Sequence, residues 1–527
     1  MGLAEIHSTK QRNFSYLGVS RSFASVMRGQ LEKYLREEAD KHIARYMSKL
    51  RTAAQQRDRY EKLTGKAATV PSQTMPRRWD LDQQFNPFYV RSHAASIAHG
   101  LASRIRAGEY SPRPSLKVHV PKPTGGTRGI SIFTVVDSAV STWLFSNLSK
   151  RNYAGFSNYA YAYRIDRNAQ HAIEHIAAAL ARKRRAYILE YDFTKYFDSV
   201  THDYLKRVIA TCCKVSPREN RLISAFLSHR YADGLSDYAA AKFKTSQVGF
   251  PQGATISLFL ANMACLELDR DIEGTGASFA RFADDTVILC DDYNTAHRLA
   301  GIMLEHGNRS GAAINIAKSP GISLVADPSR SELRAKESFT FLGHQISPSG
   351  IHPSAKAIAR MKRRTSVIIY QHLLLHPKHG VINPRRFSQG IDWDLVTCIN
   401  ELRRYLYGPI SCEHLDGALK KKRPLRLSTC ALSFFPLIRW AGLFADLDGW
   451  LADVLFRAYE KRRRIFEDAG THLPRITKEA LIDGSWYFHA LPNETALPSA
   501  VKSWRYARKC YLAFGVRVYS APPPYNW

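Results

Sequence analysis

The sequence predicts an α+β protein with a strand-containing centre and helical regions at both ends. In residues 21–64, apolar side chains recur at three- and four-residue steps with charges between them, which is the period of an α-helix. Between residues 85 and 350, short apolar runs end at glycine turns or acidic residues, a pattern typical of β-hairpins. Beyond residue 351 the pattern becomes helical and basic. We therefore divide the chain into residues 1–84, 85–350 and 351–527.

The charge balance favours a polyanionic partner. The 527 residues include 76 Lys and Arg against 46 Asp and Glu, a formal net charge of +30, which is typical of proteins that bind RNA or DNA. A membrane surface is the alternative, but we find no run of ~20 apolar residues that could span a bilayer. The N-terminus lacks the pattern of a signal peptide, and the eight cysteines show no C-x-x-C spacing. We therefore expect a cytoplasmic protein with reduced thiols and no membrane partner.

The N-terminal helix is strongly basic around Lys49–Lys62. A solvated helical hairpin explains such a segment, and so does contact with RNA or with a second copy of the chain. The sequence leaves these alternatives open, and a homo-oligomer is one of them.

A basic hairpin is predicted at residues 118–132, where two β-prone runs flank a glycine turn. Lys122 lies on one arm and Arg128 on the other. Arg offers bidentate contacts to phosphate and Lys a point charge, so this pair suits a triphosphate. A hairpin with two surface cations is the alternative.

Two further strands end in acidic residues. Asp192 follows the apolar and aromatic run 187–191, and the pair Asp284–Asp285 lies between two apolar runs, at or beside a hairpin turn. Adjacent carboxylates repel each other unless a cation neutralises them, and Mg²⁺ prefers such oxygen ligands. If the strands are neighbours, three carboxylates converge. That set can hold two metal ions ~4 Å apart for in-line displacement at phosphorus.

A glycine-bracketed turn with the sequence Pro251-Gln252-Gly253 lies between these acidic strands and leads into an apolar helix. The order Asp192, Pro-Gln-Gly and Phe-Ala-Asp-Asp (282–285) resembles reverse transcriptases, specifically the bacterial group II intron, retron and defence-associated lineages. The resemblance covers about residues 85–350. Phe282 stands where these enzymes usually have tyrosine.

The resemblance implies a right-hand polymerase, with fingers and palm in residues 85–350 and a helical thumb within residues 351–527. It also implies an RNA-directed DNA polymerase that uses dNTPs and two Mg²⁺ ions. Asp192, Asp284 and Asp285 would bind these ions, with the backbone carbonyl of Phe193 as a further ligand.

The resemblance assigns roles to five other residues. Lys122 and Arg128 would clamp the incoming nucleotide. Phe197 would exclude the ribose 2′-hydroxyl, although plain core packing also explains an aromatic residue there. Gln252 would contact the nucleotide or the template backbone. Lys318 would protonate the leaving pyrophosphate, with a surface lysine as the alternative.

Three other segments complete the resemblance. Residues 159–167 would contact the template, 339–346 would form the primer grip, and 400–408 the thumb helix. The C-terminal region shows no His-Asn-His nuclease signature and no cysteine-rich finger, which weakens an intron-encoded role. Tyr525, in the proline-rich tail, could prime synthesis or belong to a docking segment.

Three functions therefore compete. The first is a reverse transcriptase in anti-phage defence that copies a dedicated non-coding RNA into DNA, with a template-independent polymerase as a variant. The second is a maturase that binds and folds intron RNA. The third is a non-catalytic RNA-binding protein on a polymerase fold, against which the intact acids and Pro-Gln-Gly turn argue. Fold resemblance alone does not decide between them.

Overall fold

The structure is a computed structural model that describes residues 23–68, 75–122, 125–183, 185–326, 335–388, 390–420, 430–487 and 495–515. The tail with Tyr525 lies outside these residues. No helix in the described parts is both long and apolar enough to cross a membrane.

Helices form most of the chain, and strands are concentrated in its centre. The helices are α1 Phe23–Thr64, α2 Pro87–Ser92, α3 Ala94–Ala107, α4 Val135–Arg151, α5 Ala169–Ala181, α6 Tyr196–Ser199, α7 His202–Cys212, α8 Pro217–Leu227, α9 Leu235–Ala239, α10 Ile256–Ala264, α11 Leu266–Glu273, α12 Tyr293–Ser310, α13 Ala355–Ile369, α14 Trp393–Tyr407, α15 Cys412–Lys420, α16 Gly442–Asp468, α17 Lys478–Asp483 and α18 Ala500–Phe514. The strands are β1 Ser115–Pro121, β2 Thr127–Ile132, β3 Arg185–Tyr191, β4 Arg230–Asp233, β5 Lys244–Thr245, β6 Ser278–Phe282, β7 Asp285–Cys290, β8 Gly321–Ala326, β9 Phe339–Phe341, β10 His344–Ser347, β11 Gly350–Pro353, β12 Phe387–Ser388 and β13 Ile391–Asp392. The predicted α+β class is confirmed.

The central sheet has the strand order β6-β7-β3-β8, and every neighbouring pair is antiparallel. In its register, Tyr191 of β3 pairs with Thr286 of β7, and Phe282 of β6 pairs with Asp285. The strand that precedes Asp192 and the hairpin that carries Asp284 and Asp285 are therefore neighbours, as the sequence analysis predicted. Both acidic positions lie at the same edge of the sheet.

A second sheet, with the order β2-β1-β4-β5, contains the predicted basic hairpin. It is joined to the glycine-bracketed turn because the Ser131 amide donates to the Gln252 carbonyl at 2.7 Å. A Cβ added at Gly253 would overlap the Ser131 carbonyl oxygen, and its φ of +130° is one that side chains rarely adopt. Glycine is therefore required where the turn meets this sheet.

The N-terminal helix α1 connects the two ends of the molecule. Its 42 residues span about 63 Å. Its first half packs against α2, α3 and α4, and buries Leu31 and Leu35 in the same core as the central sheet. Near its C-terminal end, the Lys62 carbonyl accepts a 2.6 Å hydrogen bond from the Asn383 side chain, in the C-terminal region.

The C-terminal region is a separate core of helices. Its centre holds a buried ion network in which Arg462 donates to Asp392 at 2.9 Å and to Asp394 at 2.7 Å. The mostly apolar residues 432–441 precede α16, which begins only at Gly442. Pro436 lacks a backbone N–H, which disfavours a helix through this stretch.

Candidate active site

The acidic edge is built on the tight turn between β6 and β7. Ala283 adopts φ +62°, a left-handed conformation that is strained for a residue with a side chain. The turn places Asp284 and Asp285 beside the end of β3, where Asp192 follows Tyr191. Asp192 and Asp284 are in hydrogen-bond contact, and the negative charges of Asp192 and Asp284 act on Asp285. The three predicted carboxylates therefore lie close enough for their charges to act on one another.

Burial and mutual repulsion raise the pKa values of two carboxyls in this cluster. Burial raises the pKa of Asp284, and the neighbouring charge of Asp192 adds to the rise. Asp285 is exposed to solvent overall. The protein atoms around its carboxyl nevertheless raise the pKa of this group to about 6, and the negative charges of Asp284 and Asp192 contribute to the rise. The cluster therefore favours bound protons or bound cations over three free negative charges.

Lys318 is the cation that lies closest to this cluster. Its Nζ is 2.9 Å from Asp192 Oδ2, and this contact raises the pKa of the lysine. The segment is held in place by the backbone, since the Asn315 amide donates to the Asp192 carbonyl at 2.8 Å. Ser319 Oγ accepts a 3.0 Å hydrogen bond from the Asp192 amide. Lys318 therefore lies beside the acids, and its role as a proton donor to pyrophosphate stays a prediction.

The backbone on both sides of Phe193 is bonded to the opposite segment. The Thr194 amide donates to the Ala313 carbonyl, and the Asp192 carbonyl accepts from the Asn315 amide. The role of the Phe193 carbonyl as a metal ligand stays a prediction.

A buried ion pair supports the turn from behind, and sequence reasoning missed it. Arg281, at 1% side-chain exposure, donates to Asp269 through Nε at 2.7 Å and through Nη2 at 2.6 Å. Its Nη1 donates to the Ala283 carbonyl at 3.0 Å and contacts Asn262 Oδ1 at 3.3 Å. Arg281 therefore joins α11 to the strained residue of the turn. The signal was an arginine inside an otherwise apolar strand, which requires a buried acceptor.

The cations of the basic hairpin act on Asp198, which lies in α6 six residues after Asp192. Partial burial raises the pKa of the Asp198 carboxyl, and the charges of nearby cations lower it. Four cations act on this carboxylate: Lys117, Lys195, Lys122 and Arg128. The structure therefore brings the two predicted cations to one place. Lys117 and Lys195 were missed; Lys117 lies on β1, one residue before the start of the predicted hairpin.

Phe197 and Gln252 lie beside Asp198 and the Pro-Gln-Gly turn. The half-buried Phe197 ring packs edge-on against Phe250 with centroids 4.8 Å apart, which leaves part of the ring accessible. The Gln252 side chain donates to Asp198 Oδ2 at 3.4 Å. A Cβ at Gly249 would overlap the Phe197 carbonyl oxygen, so this turn packs directly on the Phe197 backbone.

The donor set fits divalent cations by its chemistry. Three clustered carboxylates are hard oxygen ligands, and a cation would relieve the repulsion that raises the pKa values of Asp284 and Asp285. Within the described parts of the chain, no three His, Cys, Asp or Glu side chains are already arranged around a common point as ion ligands. Asp192 is instead paired with Lys318 and Asp284.

Comparison with known proteins identifies the central segment. Residues 120–346 match the family model described as reverse transcriptase (RNA-dependent DNA polymerase). Protein YkfC of Escherichia coli (strain K12) is 25% identical over 173 residues, which cover 32% of this chain and 44% of that protein. The putative COX1/OXI3 intron 1 protein of Saccharomyces cerevisiae is 25% identical over 177 residues, which cover 33% of this chain and 20% of that protein. The match thus spans less than half the length of each of these curated relatives.

One similar solved structure is telomerase from Candida albicans in complex with a fragment of telomeric RNA. Its TM-score is 0.37 at 12% sequence identity, and the similarity covers 69% of this chain and 64% of the telomerase chain. The family match spans the basic hairpin, the Pro-Gln-Gly turn and all three clustered carboxylates. The comparison thus supports the predicted reverse transcriptase resemblance over residues 120–346.

Proposed function

We propose that the chain is an RNA-directed DNA polymerase that extends a primer with dNTPs. The observation that carries the proposal is the convergence of Asp192, Asp284 and Asp285 at one sheet edge, beside a hairpin whose cations act on Asp198. Phosphoryl transfer needs little covalent chemistry from a protein, so positioning and charge stabilisation are the main contributions. An acidic cluster beside a basic hairpin supplies both.

The three carboxylates, with the Phe193 carbonyl, would hold two Mg²⁺ ions. When bound, these ions activate the primer 3′-hydroxyl and neutralise charge on the phosphates. Because the carboxyl pKa values are raised, the cluster binds protons in competition with cations. Activity should therefore decline as the pH falls towards 6.

Lys122 and Arg128 would bind the triphosphate, with Lys117 and Lys195 adding to the local positive potential. Lys318 would hold a proton for the leaving pyrophosphate, since its ammonium lies 2.9 Å from Asp192 at the acidic cluster. The exposed part of Phe197 would contact the sugar and exclude a 2′-hydroxyl. Gln252 would contact the nucleotide or the template.

The biological role is a further proposal. We infer that the template is a dedicated non-coding RNA and that the DNA product serves anti-phage defence. The long helix α1 and the large helical C-terminal region support a specialised RNA partner. A maturase role is the alternative, because one curated relative is named as an intron protein.

The test compares wild-type protein with the double variant Asp284→Asn, Asp285→Asn. The matched control is Asp291→Asn, Asp292→Asn, a second acidic pair that follows the other end of β7. Asp292 caps α12 by accepting from the Thr295 amide, and asparagine caps equally well. We expect primer extension on RNA with dNTPs to fall at least about a thousandfold in the first variant, because metal assistance is worth several kcal/mol. The control should retain activity.

Sequencing of co-purified nucleic acid completes the test. One enriched non-coding RNA in both proteins, with matching DNA only in the wild type, would support copying of a dedicated template. Intron RNA in both with no DNA in either would favour the maturase role. Primer extension that persists in the Asp284→Asn, Asp285→Asn variant would refute the proposed site, and extension without any template would favour a template-independent polymerase.

A further inference from the structure

The middle of α1 is an uninterrupted basic segment. Residues 41–57 contain five Lys and Arg residues and no Asp or Glu. Lys41, Arg45 and Lys49 follow at four-residue steps, so they lie along one side of the helix and cover about 12 Å of its length. Lys49 is exposed and, within the described residues, has no ion-pair or hydrogen-bond partner. This side of α1 is therefore a row of positive charge.

The start of this row faces the glycine-bracketed turn. A cavity of about 100 Å³ lies between α1 and the root of the basic hairpin, and its lining includes Lys41, Arg45, Ser131 and Gly253. Glu38 also lines the cavity and is 3.3 Å from Lys41, so it neutralises part of the charge at this end. The row thus begins beside the turn that carries Gln252 and continues with Arg45 and Lys49.

Both ends of α1 are fixed, so the row has a defined position. In its first half, the Trp143 indole donates to Gln30 at 3.0 Å, and Arg91 pairs with Asp40 at 2.9 Å. At the other end, Asn383 binds the Lys62 carbonyl. A helix held at both ends presents its charges without the ordering cost that a free helix would have to meet on binding.

We propose that Lys41, Arg45 and Lys49 bind the backbone phosphates of the unpaired template strand beside the Gln252 turn. The proposal rests on the proposed polymerase function. An incoming nucleotide pairs with the first unpaired template base, so the strand still to be copied must lie on the nucleotide side of the site. The Gln252 turn and Arg128 belong to that side, and the basic row adjoins the same turn. Single strands are bound by such grooves of positive charge.

The test is fluorescence anisotropy with labelled primer–template and no dNTP, so that it does not depend on catalysis. Lys49→Gln is compared with Arg51→Gln, because Arg51 is also exposed and lies about 200° around the same helix. The template carries an unpaired 5′ overhang of about ten nucleotides. Lys49→Gln should make the slope of log K against log salt concentration shallower by about 0.7, which corresponds to an affinity about fivefold weaker at 0.1 M salt. Arg51→Gln should leave both unchanged.

The same pair of variants is then measured on a template without an overhang, where neither should lose affinity. Arg45→Gln combined with Lys49→Gln should double the loss of slope on the long overhang. Equal losses in Lys49→Gln and Arg51→Gln, an equal loss on both templates, or no loss at all would each overturn the proposal. Failure of the polymerase function itself would appear separately, as wild-type protein that binds the template but incorporates nothing.

Discussion

The buried pair of Arg281 and Asp269 gives the sharpest test of how the acidic turn is held. Asp269→Asn keeps the shape of the side chain but leaves the Arg281 charge without its partner at 1% exposure. Breaking a buried ion pair in this way costs about 3–5 kcal/mol. We therefore expect urea denaturation to show a loss of that size. Glu267→Gln, on the same helix, removes the exposed contacts to Arg207 and should cost at most about 1 kcal/mol.

A second variant separates stability from positioning. Replacing both partners, Arg281→Met with Asp269→Leu, removes the buried charges together, and such replacements are often neutral or stabilising by about 1–4 kcal/mol. The Ala283 carbonyl nevertheless loses the donor that now lies 3.0 Å away. A shift of the turn by about 1 Å would cost about a hundredfold in rate. We therefore expect this protein to be stable and poorly active in primer extension.

Two results would refute this reasoning. If the double replacement recovers wild-type incorporation together with stability, Arg281 fills the core and does not position the turn. If Asp269→Asn costs no more than the Glu267→Gln control, the pair is more solvated than its exposure indicates.

Three further predictions concern other parts of the domain. Gly253→Ala should lower stability and primer extension, because the new Cβ overlaps the Ser131 carbonyl oxygen. The control Gly301→Ala places its Cβ in open space on α12 and should be stabilising by about 1 kcal/mol. Equal stability of the two variants in urea denaturation would contradict the overlap. Burial raises the pKa of Asp137 to about 6, so the folded state binds a proton more tightly than the unfolded chain and stability should fall as the pH rises from about 4 to about 6. Asp137→Asn should flatten that slope, and an unchanged slope would exclude this carboxyl as its source. Phe197→Ala should raise rNTP relative to dNTP incorporation by about ten- to two-hundredfold, and an unchanged ratio would leave the ring as core packing only.

The local elements of the site were predictable because each is encoded in a short stretch of sequence. Apolar residues on both sides of Asp284 and Asp285 predicted a hairpin, and β6 and β7 form it. The neighbouring position of β3 and β7 followed from two similar strands that each end in acid, and their register confirms it. Residues 339–346, which the resemblance assigned to the primer grip, contain the antiparallel strands β9 and β10.

The parts that escaped prediction depend on contacts between distant residues. Asp269 lies in a helix of ordinary composition, and only the folded chain shows that it meets Arg281. Lys195 adopts φ +47°, and this local conformation, which no sequence pattern indicated, accompanies its place beside Asp198. The contact of α1 with Asn383, more than 300 residues further along the chain, likewise has no local signal.

The two sides of the site are held by different interactions, and this has a kinetic consequence. The carboxylates depend on the β3–β7 ladder and on Arg281, whereas the cations of the hairpin depend on the hydrogen bond from Ser131 to Gln252. If the carboxylates act mainly in the transition state, disturbing Arg281 should lower kcat and leave KM for dNTP nearly unchanged. Disturbing the turn at Gly253 should instead raise KM if, as proposed, the hairpin cations bind the triphosphate before reaction. Identical changes in both parameters for the two variants would show that the halves act as one rigid unit.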